Sequence, residues 1–575
     1  MKTTKNIARL AVTAGLTAAL SFGGVMAPVT MAFAADGDNT IAITQAENNR
    51  TTSFKAYQIF KADVVDKDGK KVVSNVQWAV GLSDTARNGI ISAIRSDKDG
   101  NKLPGDPSAQ DVADWMAENL QGASQVVNHG DLLDTIANSV KNTTPATPTG
   151  ASSAAFAAGT PVSFENPGYY LFLTDPASIG SDTDYTGKKQ TGTSPIFAVV
   201  GGEAVTVIEK TGIPTVTKKI KDDKSGSDWA DKADSQAGQD VQYQLTGTVA
   251  ENVASFGAYY YEFHDVLSAG LIANEDSVKV TVYANDSDAT GTEVNLPDGA
   301  VEYNMTDRNS VLTVKFNDLK TATAKKDSSA IGITKDSRIV VTYTAKLDST
   351  KAVVGKAGNE NSVKLVYSNN PMSDGKGESV PDTVRDYTYA LKLVKEDSVD
   401  NTKLKDVEFT IKATGADELA SGVAGTQYVQ EYGTLGDTEY KFKTNENGEI
   451  SVAGLDAGTY TVHEVEGSNP GYNTLADFTF TITAEGLGKL EGETLGGNND
   501  PNTLKVTAES GDSTMVTPSA DGGTVTLTVK NKKGSNLPLT GLNGVTFTWI
   551  AGGAVLCIGV AHLIHSRKRD DGSEE

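Results

Sequence analysis

Cysteine is almost absent: the 575 residues hold one, Cys557, in an apolar stretch near the C-terminus. No disulfide can therefore form within the rest of the chain, and its stability must come from another source. Positive charge is also scarce, with 51 Lys and Arg against 74 Asp and Glu and a formal net charge of -23. That balance leaves no basic face to neutralise phosphates and excludes a nucleic-acid partner. The five histidines are scattered, and neither a phosphate loop nor a nucleophile elbow occurs, so no metal, nucleotide or cofactor is expected. The acidic run from Asp222 to Asp231 reads as solvated charge rather than a calcium loop. Low-complexity tracts are missing, and the length suffices for three or four domains that each bury a core.

What is present begins with the two ends. Lys2, Lys5 and Arg9 precede an apolar run from Leu10 to Met26 and then Ala32-Phe33-Ala34, the three-part layout of a secretory signal peptide. The mature chain is expected to start near Ala35. At the other end, Leu537-Pro538-Leu539-Thr540-Gly541 is followed by an apolar segment from Val545 to Ile564 and by His565-Ser566-Arg567-Lys568-Arg569. Such a segment can cross a bilayer, with its basic end kept inside. Together these three parts resemble the LPXTG sorting signal of Gram-positive surface proteins. The resemblance implies that a sortase thiol attacks the Thr540 carbonyl, that everything from Gly541 on is discarded, and that the rest is attached to peptidoglycan.

Between the ends, short alternating apolar runs punctuated by Gly, Asn and Asp predict strands, for example Thr524 to Val529. Helical periodicity is confined to the first third, as at Ala109 to Leu120 and Gly130 to Val140. Gly and Pro interruptions set boundaries near Lys210 to Pro214 and near Asp382 to Asp386. The expected domains are 35–210, 211–384 and 385–534, between a signal peptide at 1–34 and a sorting segment at 535–575. The fold expected is mainly β: tandem immunoglobulin-like sandwiches forming a rod, with small helices in the first domain.

Three strands of the last domain each point one polar residue inward. In Tyr389 to Asp397, Lys395 shares a face with Tyr389, Leu391 and Leu393; Lys392 lies on the opposite face. Glu464 shares a face with Tyr460 and Val462, and Asn531 with Val525, Leu527 and Val529. Burial disfavours charge, pushing a lysine toward a neutral nucleophilic amine and a glutamate toward a neutral acid. A neutral Glu464 could then donate to the Asn531 carbonyl while the Lys395 amine attacks its carbon and expels ammonia, leaving an amide crosslink. This stretch resembles Cna-B-type domains that form Lys-Asn isopeptide bonds, and Tyr460 to Tyr472 resembles the pilin E-box. After Glu464, however, the chain reads Val465-Glu466-Gly467-Ser468-Asn469-Pro470 in place of Thr-x-Ala-Pro.

The middle domain repeats the logic. Val216, Lys218 and Ile220 share a face that excludes Lys219, and Tyr261, Phe263 and Asp265 share another. Asn361 and Asn369 have the parity of Val363, Leu365 and Tyr367, so either could accept, with Asn361 preferred and Asn370 excluded. Asp240 is an alternative acid whose more ordinary identity is a turn aspartate. The region resembles the D2 (Cna-A-like) domains of fimbrial subunits, which also crosslink internally. Between the first two domains, Val205 and Val207 face in and Lys210 faces out. Val205 to Lys210 resembles the pilin motif of backbone pilins, with Ile208-Glu209 replacing Tyr-Pro.

That resemblance implies that Lys210 resolves the sortase acyl-enzyme and links to Thr540 of another copy. The first domain, through Ser53 to Lys61, Val76 to Gly81 and Pro167 to Phe172, resembles the N-terminal domain of fimbrial major subunits. Trp78, Tyr169 and Tyr170 read there as core aromatics, and no inward Lys, acid and Asn trio is visible. The resemblances taken together imply a major pilin of a surface pilus, or fimbrium: a structural subunit, not an enzyme. Its expected partners are copies of itself, a pilus sortase, a housekeeping sortase, peptidoglycan, tip or minor pilins and a host surface receptor. The rival reading is a monomeric wall-anchored adhesin for a matrix protein or glycan, which only Lys210 distinguishes. A wall-anchored hydrolase would need a concave site of paired catalytic groups, whereas these trios point inward and would react once.

Overall fold

The computed structural model describes residues 39–534, apart from residues 47–48, 50–51, 68–69, 121–125, 180–189, 203, 223–225, 356, 415–426, 488–502 and 513. The signal-peptide region 1–34, the sorting residues Leu537, Pro538, Leu539, Thr540 and Gly541, the apolar run 545–564 and the basic end lie outside the described residues. Among the described residues, no helix is long and apolar enough to cross a membrane.

Alternating strands dominate, as the period-two apolar pattern predicts, and they assemble into tandem immunoglobulin-like sandwiches. In the first body a five-stranded sheet, ordered Lys70–Trp78, Ser53–Lys67, Gly168–Thr174 and Ile196–Val200 with Ala155–Ala157 at the side, is covered on both faces. Helices Asp84–Ser96, Ala109–Asn119 and Leu132–Val140 contribute to one core with it. A three-stranded sheet of Val162–Ser163, Thr40–Thr44 and Val205–Ile208 shares a second core on its other side. Double coverage explains why every residue of Gly168–Thr174 is buried and why its sequence is a continuous apolar run. Tyr169 and Tyr170 are core residues, and Trp78 packs against Phe60 with ring centroids 5.0 Å apart. The helix Asp84–Ser96, capped by Ser83, joins the two that the periodicity predicts.

The middle body is a sandwich. Val216–Lys221, Val241–Thr248, Arg338–Leu347 and Leu271–Tyr283 are consecutive strands of one sheet; Asp382–Tyr387, Asn359–Ser368, Tyr261–Ser268 and Asn309–Phe316 are consecutive in the other. In the third body, Glu449–Leu455, Tyr389–Asp397, Thr524–Asn531 and Val516–Asp521 make one sheet, which shares a core with Glu408–Ala413, Gly458–Glu464, Phe478–Glu485 and Thr503–Glu509. The first and last strands of this body, Tyr389–Asp397 and Thr524–Asn531, are parallel neighbours.

The expected division at 210–211 falls between Val207 of the first core and Val216 of the second. That at 384–385 falls inside the strand Asp382–Tyr387, whose Val384 joins the middle core and whose Tyr387 joins the third. The second and third bodies meet through a polar joint. Gln236 accepts from the Asp456 amide at 3.2 Å and the Tyr460 hydroxyl at 3.0 Å and donates to the Gly433 carbonyl, while the Ala237 amide donates to the Gly454 carbonyl at 2.8 Å.

Candidate functional site

Lysines are seldom buried, because taking an ammonium out of water costs several kcal/mol unless it is paired. Among the described residues, Lys218, Lys232 and Lys395 are buried, and two of them stand in trios of side chains contributed by distant strands.

In the third body, Lys395 and Asn531 come from adjacent parallel strands, and Glu464 comes from the other sheet. The Lys395 Nζ donates to Glu464 Oε2 at 3.0 Å and to Asn531 Oδ1, while Asn531 Nδ2 donates to Glu464 Oε1 at 2.6 Å. The Leu475 amide donates to Glu464 Oε2 at 3.2 Å. One carboxyl thus holds an amine and a carboxamide side by side. Phe409 lies below the amine, its ring centroid 5.3 Å away, and all three side chains are at most 2 % exposed. Burial pulls the Lys395 amine down to about 8, against the opposing charge of Glu464. Lys392, on the outer face, instead pairs with Glu449 at 2.8 Å.

In the middle body, Lys218 comes from one sheet and Asp265 and Asn361 from the other. The Lys218 Nζ donates to both Asp265 oxygens at 2.6 Å, and burial pulls this amine too down to about 8, with Asp265 opposing. Here the amine does not donate to the carboxamide oxygen. Asn361 Nδ2 donates to the Tyr343 hydroxyl at 2.7 Å, and Asn361 Oδ1 has no partner among the described residues. The Tyr343 hydroxyl donates to Asp265 Oδ2 at 2.7 Å and accepts from Lys218 Nζ at 3.2 Å. Tyr343 therefore joins all three, and the sequence reading does not name it. Its parity in Arg338–Leu347 marks it as inward, but an inward tyrosine reads as core until its hydroxyl partners are known.

The alternatives stand elsewhere. Asn369 lies at the end of its strand beside Gly375 and Gly377, and its carbonyl accepts from the Gly192 amide at 2.6 Å. Asp240 is exposed and lies 3.7 Å from Lys346. In the first body, Lys55 pairs with Asp175 at 2.8 Å and is 31 % exposed.

Lys210 follows the strand Val205–Ile208 and is half-buried rather than fully outward. Its amide donates to Thr193 Oγ1 at 2.7 Å, and its carbonyl accepts from the Ser194 amide at 2.8 Å. Burial lowers its amine below the ordinary lysine value, with Glu251 opposing. Glu209, which the sequence reading leaves without a role, is 2 % exposed. It accepts from the Ala46 amide at 2.9 Å, from Asn49 Nδ2 and from Thr52 Oγ1 at 3.4 Å, tying the N-terminal segment to the residue before Lys210. The available signal is parity, since Glu209 shares that of Val205 and Val207.

A polar cavity of about 400 Å³ lies in the first body, lined by Lys61, Asp63, Asn75, Gln77 and Gln110 among others. Among the described residues, no cluster of His, Cys, Asp and Glu is arranged to hold a metal ion.

No curated protein matches the chain. A family model described as "SpaA: Prealbumin-like fold domain" matches residues 389–494, within the third body. Among solved structures, the T6 backbone pilin of serotype M6 Streptococcus pyogenes is 17 % identical, with 88 % of this chain and 100 % of that one covered and a TM-score of 0.47. The major pilin SpaD of Corynebacterium diphtheriae is 15 % identical, with 87 % and 98 % covered and a TM-score of 0.40. BcpA, the major pilin subunit of Bacillus cereus, is 15 % identical, with 87 % and 99 % covered and a TM-score of 0.35. The chain is similar to the SpaA prealbumin-like fold domain over residues 389–494 and, at low identity along most of its length, to solved backbone and major pilins.

Proposed function

We propose that this chain is the backbone subunit of a sortase-assembled covalent pilus, exported and finally attached to peptidoglycan. Copies are joined head-to-tail by an amide between Thr540 of one and Lys210 of the next. Inside each copy, Lys395 is linked to Asn531 and Lys218 to Asn361, with Glu464 and Asp265 as the respective proton carriers. The observation that carries this reading is the convergence of a lysine, a carboxyl and an asparagine in two separate dry cores. Such a site consumes its own side chains and reacts once, which suits a structural part rather than an enzyme that turns over.

An amide inside each sandwich replaces what cysteine cannot supply here, a covalent tie between strands remote in sequence. Burial supports the chemistry by favouring the neutral amine. The linkage role of Lys210 is supported by a backbone fixed by Thr193 and Ser194 and an amine that is only half-buried. We assign domains 35–210, 211–384 and 385–534, preceded by the signal peptide and followed by the sorting segment. Pilus and housekeeping sortases, minor or tip pilins and a host receptor complete the expected partners.

The test is an immunoblot of enzymatically released cell wall from the native host carrying either the wild-type chain or Lys210→Ala. The expected result is a denaturant-resistant ladder that collapses to monomer in the variant. A single monomer band in both strains would instead make the chain a monomeric wall-anchored adhesin for a matrix protein or glycan. A ladder that persists in the variant would move the linkage to another lysine.

A further inference from the structure

The two buried trios differ in one respect. In the third body a single carboxyl touches amine and carboxamide directly, whereas in the middle body a phenol stands between carboxyl and carboxamide. We infer that Tyr343 is the proton donor to the departing ammonia in the middle body, forming with Asp265 a two-step relay that the third body does without. This rests on the reading that Lys218 and Asn361 become linked.

The geometry sets each transfer along an existing contact. A proton passes from Lys218 Nζ to Asp265 over 2.6 Å, leaving a neutral amine and a neutral acid. The amine lone pair then forms a bond to the Asn361 side-chain carbonyl carbon, and the carbonyl electron pair moves to Oδ1. In that tetrahedral intermediate Nδ2 is no longer conjugated, so it becomes a base. The 2.7 Å contact in which Nδ2 donates to the phenol can then reverse, the phenol giving its proton to Nδ2. Asp265, now protonated, resupplies the phenol across 2.7 Å. As the Oδ1 pair re-forms the carbonyl, the bond to Nδ2 breaks and ammonia leaves. The attacking nitrogen loses a second proton to Asp265 and then carries one hydrogen as an amide. Ammonia accepts the proton carried by the relay, restoring the carboxylate and phenol and releasing ammonium.

Two further observations favour a donor over a packing residue. Asn361 Nδ2 donates to the Tyr343 hydroxyl at 2.7 Å while its Oδ1 accepts no hydrogen bond among the described residues, so the leaving nitrogen is the atom held against the phenol. The Tyr343 ring is stacked on Tyr243, with centroids 5.3 Å apart and planes 14° from parallel, which fixes the hydroxyl among its three partners. Burial and the neighbouring Asp265 charge raise the phenol well above its ordinary value, so it stays protonated and able to donate.

The experiment makes the chain by cell-free translation, so that both links form from fresh polypeptide, and follows each crosslink over time by mass spectrometry of proteolytic peptides. The third-body link in the same molecule serves as an internal clock. Tyr343→Phe is expected to slow the Lys218–Asn361 link by on the order of 10²-fold, the size of a general-acid contribution, while the Lys395–Asn531 link keeps its rate. Difluorinated tyrosine at position 343 keeps the ring and its hydrogen bonds but makes the hydroxyl a stronger acid, and it is expected to speed the step. A packing role would leave that analogue at the wild-type rate. An unchanged rate in Tyr343→Phe, or an analogue no faster than wild type, would overturn the relay while the crosslink itself stands. A wild-type chain without a Lys218–Asn361 peptide would overturn the underlying reading and the relay with it.

Discussion

Lys395 and Asn531 sit diagonally across two parallel strands: Lys395 is level with Val529 and Asn531 with Asp397, yet the amine donates to the carboxamide oxygen. These strands open and close the third body, so an amide here would close nearly the whole domain into one loop. In the middle body the amine-bearing strand Val216–Lys221 and the acceptor strand Asn359–Ser368 belong to different sheets, and Asp382–Tyr387 follows the acceptor. The two links would therefore act differently, one within a sheet and the other across a sandwich.

The most direct consequence is a mass. The chain is expected to weigh less than its sequence by two ammonia molecules after folding, and Glu464→Ala to weigh less than its own sequence by only one. Intact-mass spectrometry reads both values, and a wild-type mass equal to that of the sequence would mean that neither link forms.

The reaction should also depend on pH in a way that separates acid catalysis from simple amine activation. The reactive neutral pair holds the same number of protons as the ion pair, so the linking rate is expected to be flat from neutral pH up to the lysine value of about 8. Above it, the rate should fall by about tenfold per pH unit as the pair loses the proton that the acid must donate. If the carboxyl were not needed as an acid, the rate would instead rise with pH up to about 8 and level off above it. Stability of a link-free variant such as Asn531→Ala runs the other way. Folded Lys395 sheds its proton at about 8 while the unfolded lysine keeps its own to about 10.5, so the unfolded state binds more protons. Stability is therefore expected to rise with pH through that window, as chemical denaturation at a series of pH values would show.

Much of this was legible because a strand alternates. Lys395, Glu464, Asn531, Lys218, Asp265 and Asn361 each share parity with apolar neighbours, and in the structure all six are buried. Parity alone could not choose between Asn361 and Asn369, since both share that of Val363, Leu365 and Tyr367; the strand ends at Ser368, and the fold places Asn369 beyond it, near Gly192. Tyr343 escaped because its contribution is one hydroxyl on a ring that core packing already explains. The joint at Gln236, Asp456 and Tyr460 escaped because its partners are more than 200 residues apart and on no common periodicity. Helices on one face of the first sheet and a three-stranded sheet on the other removed alternation from Gly168–Thr174, so the sequence there shows burial without showing which face meets what.

The middle-body pair also makes an energetic prediction. In a chain kept unlinked by Asn361→Ala, adding Asp265→Ala leaves the Lys218 ammonium without its carboxylate in a fully buried site. The expected further loss is about 3–5 kcal/mol, the usual result of orphaning one member of a buried ion pair. Replacing Lys218 by Met as well should recover most of it, because an apolar side chain of similar length needs no partner. Equilibrium unfolding of the three variants measures the difference, and equal losses with and without Lys218 would show that the ion pair is not the source.

Glu209 yields a prediction in which two substitutions at one residue part ways. Burial holds its carboxyl above the ordinary range despite the Asn49, Ala46 and Thr52 bonds that oppose it. Its folded value being raised, the carboxyl contributes stability at low pH that is lost as pH rises through that value, so at neutral pH the buried charge works against folding. Glu209→Gln removes the charge, while its remaining carbonyl oxygen can still accept from Ala46 and Asn49 and its new amide can donate to Thr52. Its stability is expected to match or exceed wild type at neutral pH. Glu209→Ala takes the acceptor from the part-buried Ala46 amide and leaves Asn49 Nδ2 with only its bond to the Thr191 carbonyl, and should cost about 1 kcal/mol. Hydrogen exchange should locate that loss in Thr40–Thr44, the strand paired in parallel with Val205–Ile208. If the N-terminal strand also steadies Lys210, ladder yield should fall in Glu209→Ala and persist in Glu209→Gln; equal yields would separate that strand from the linkage.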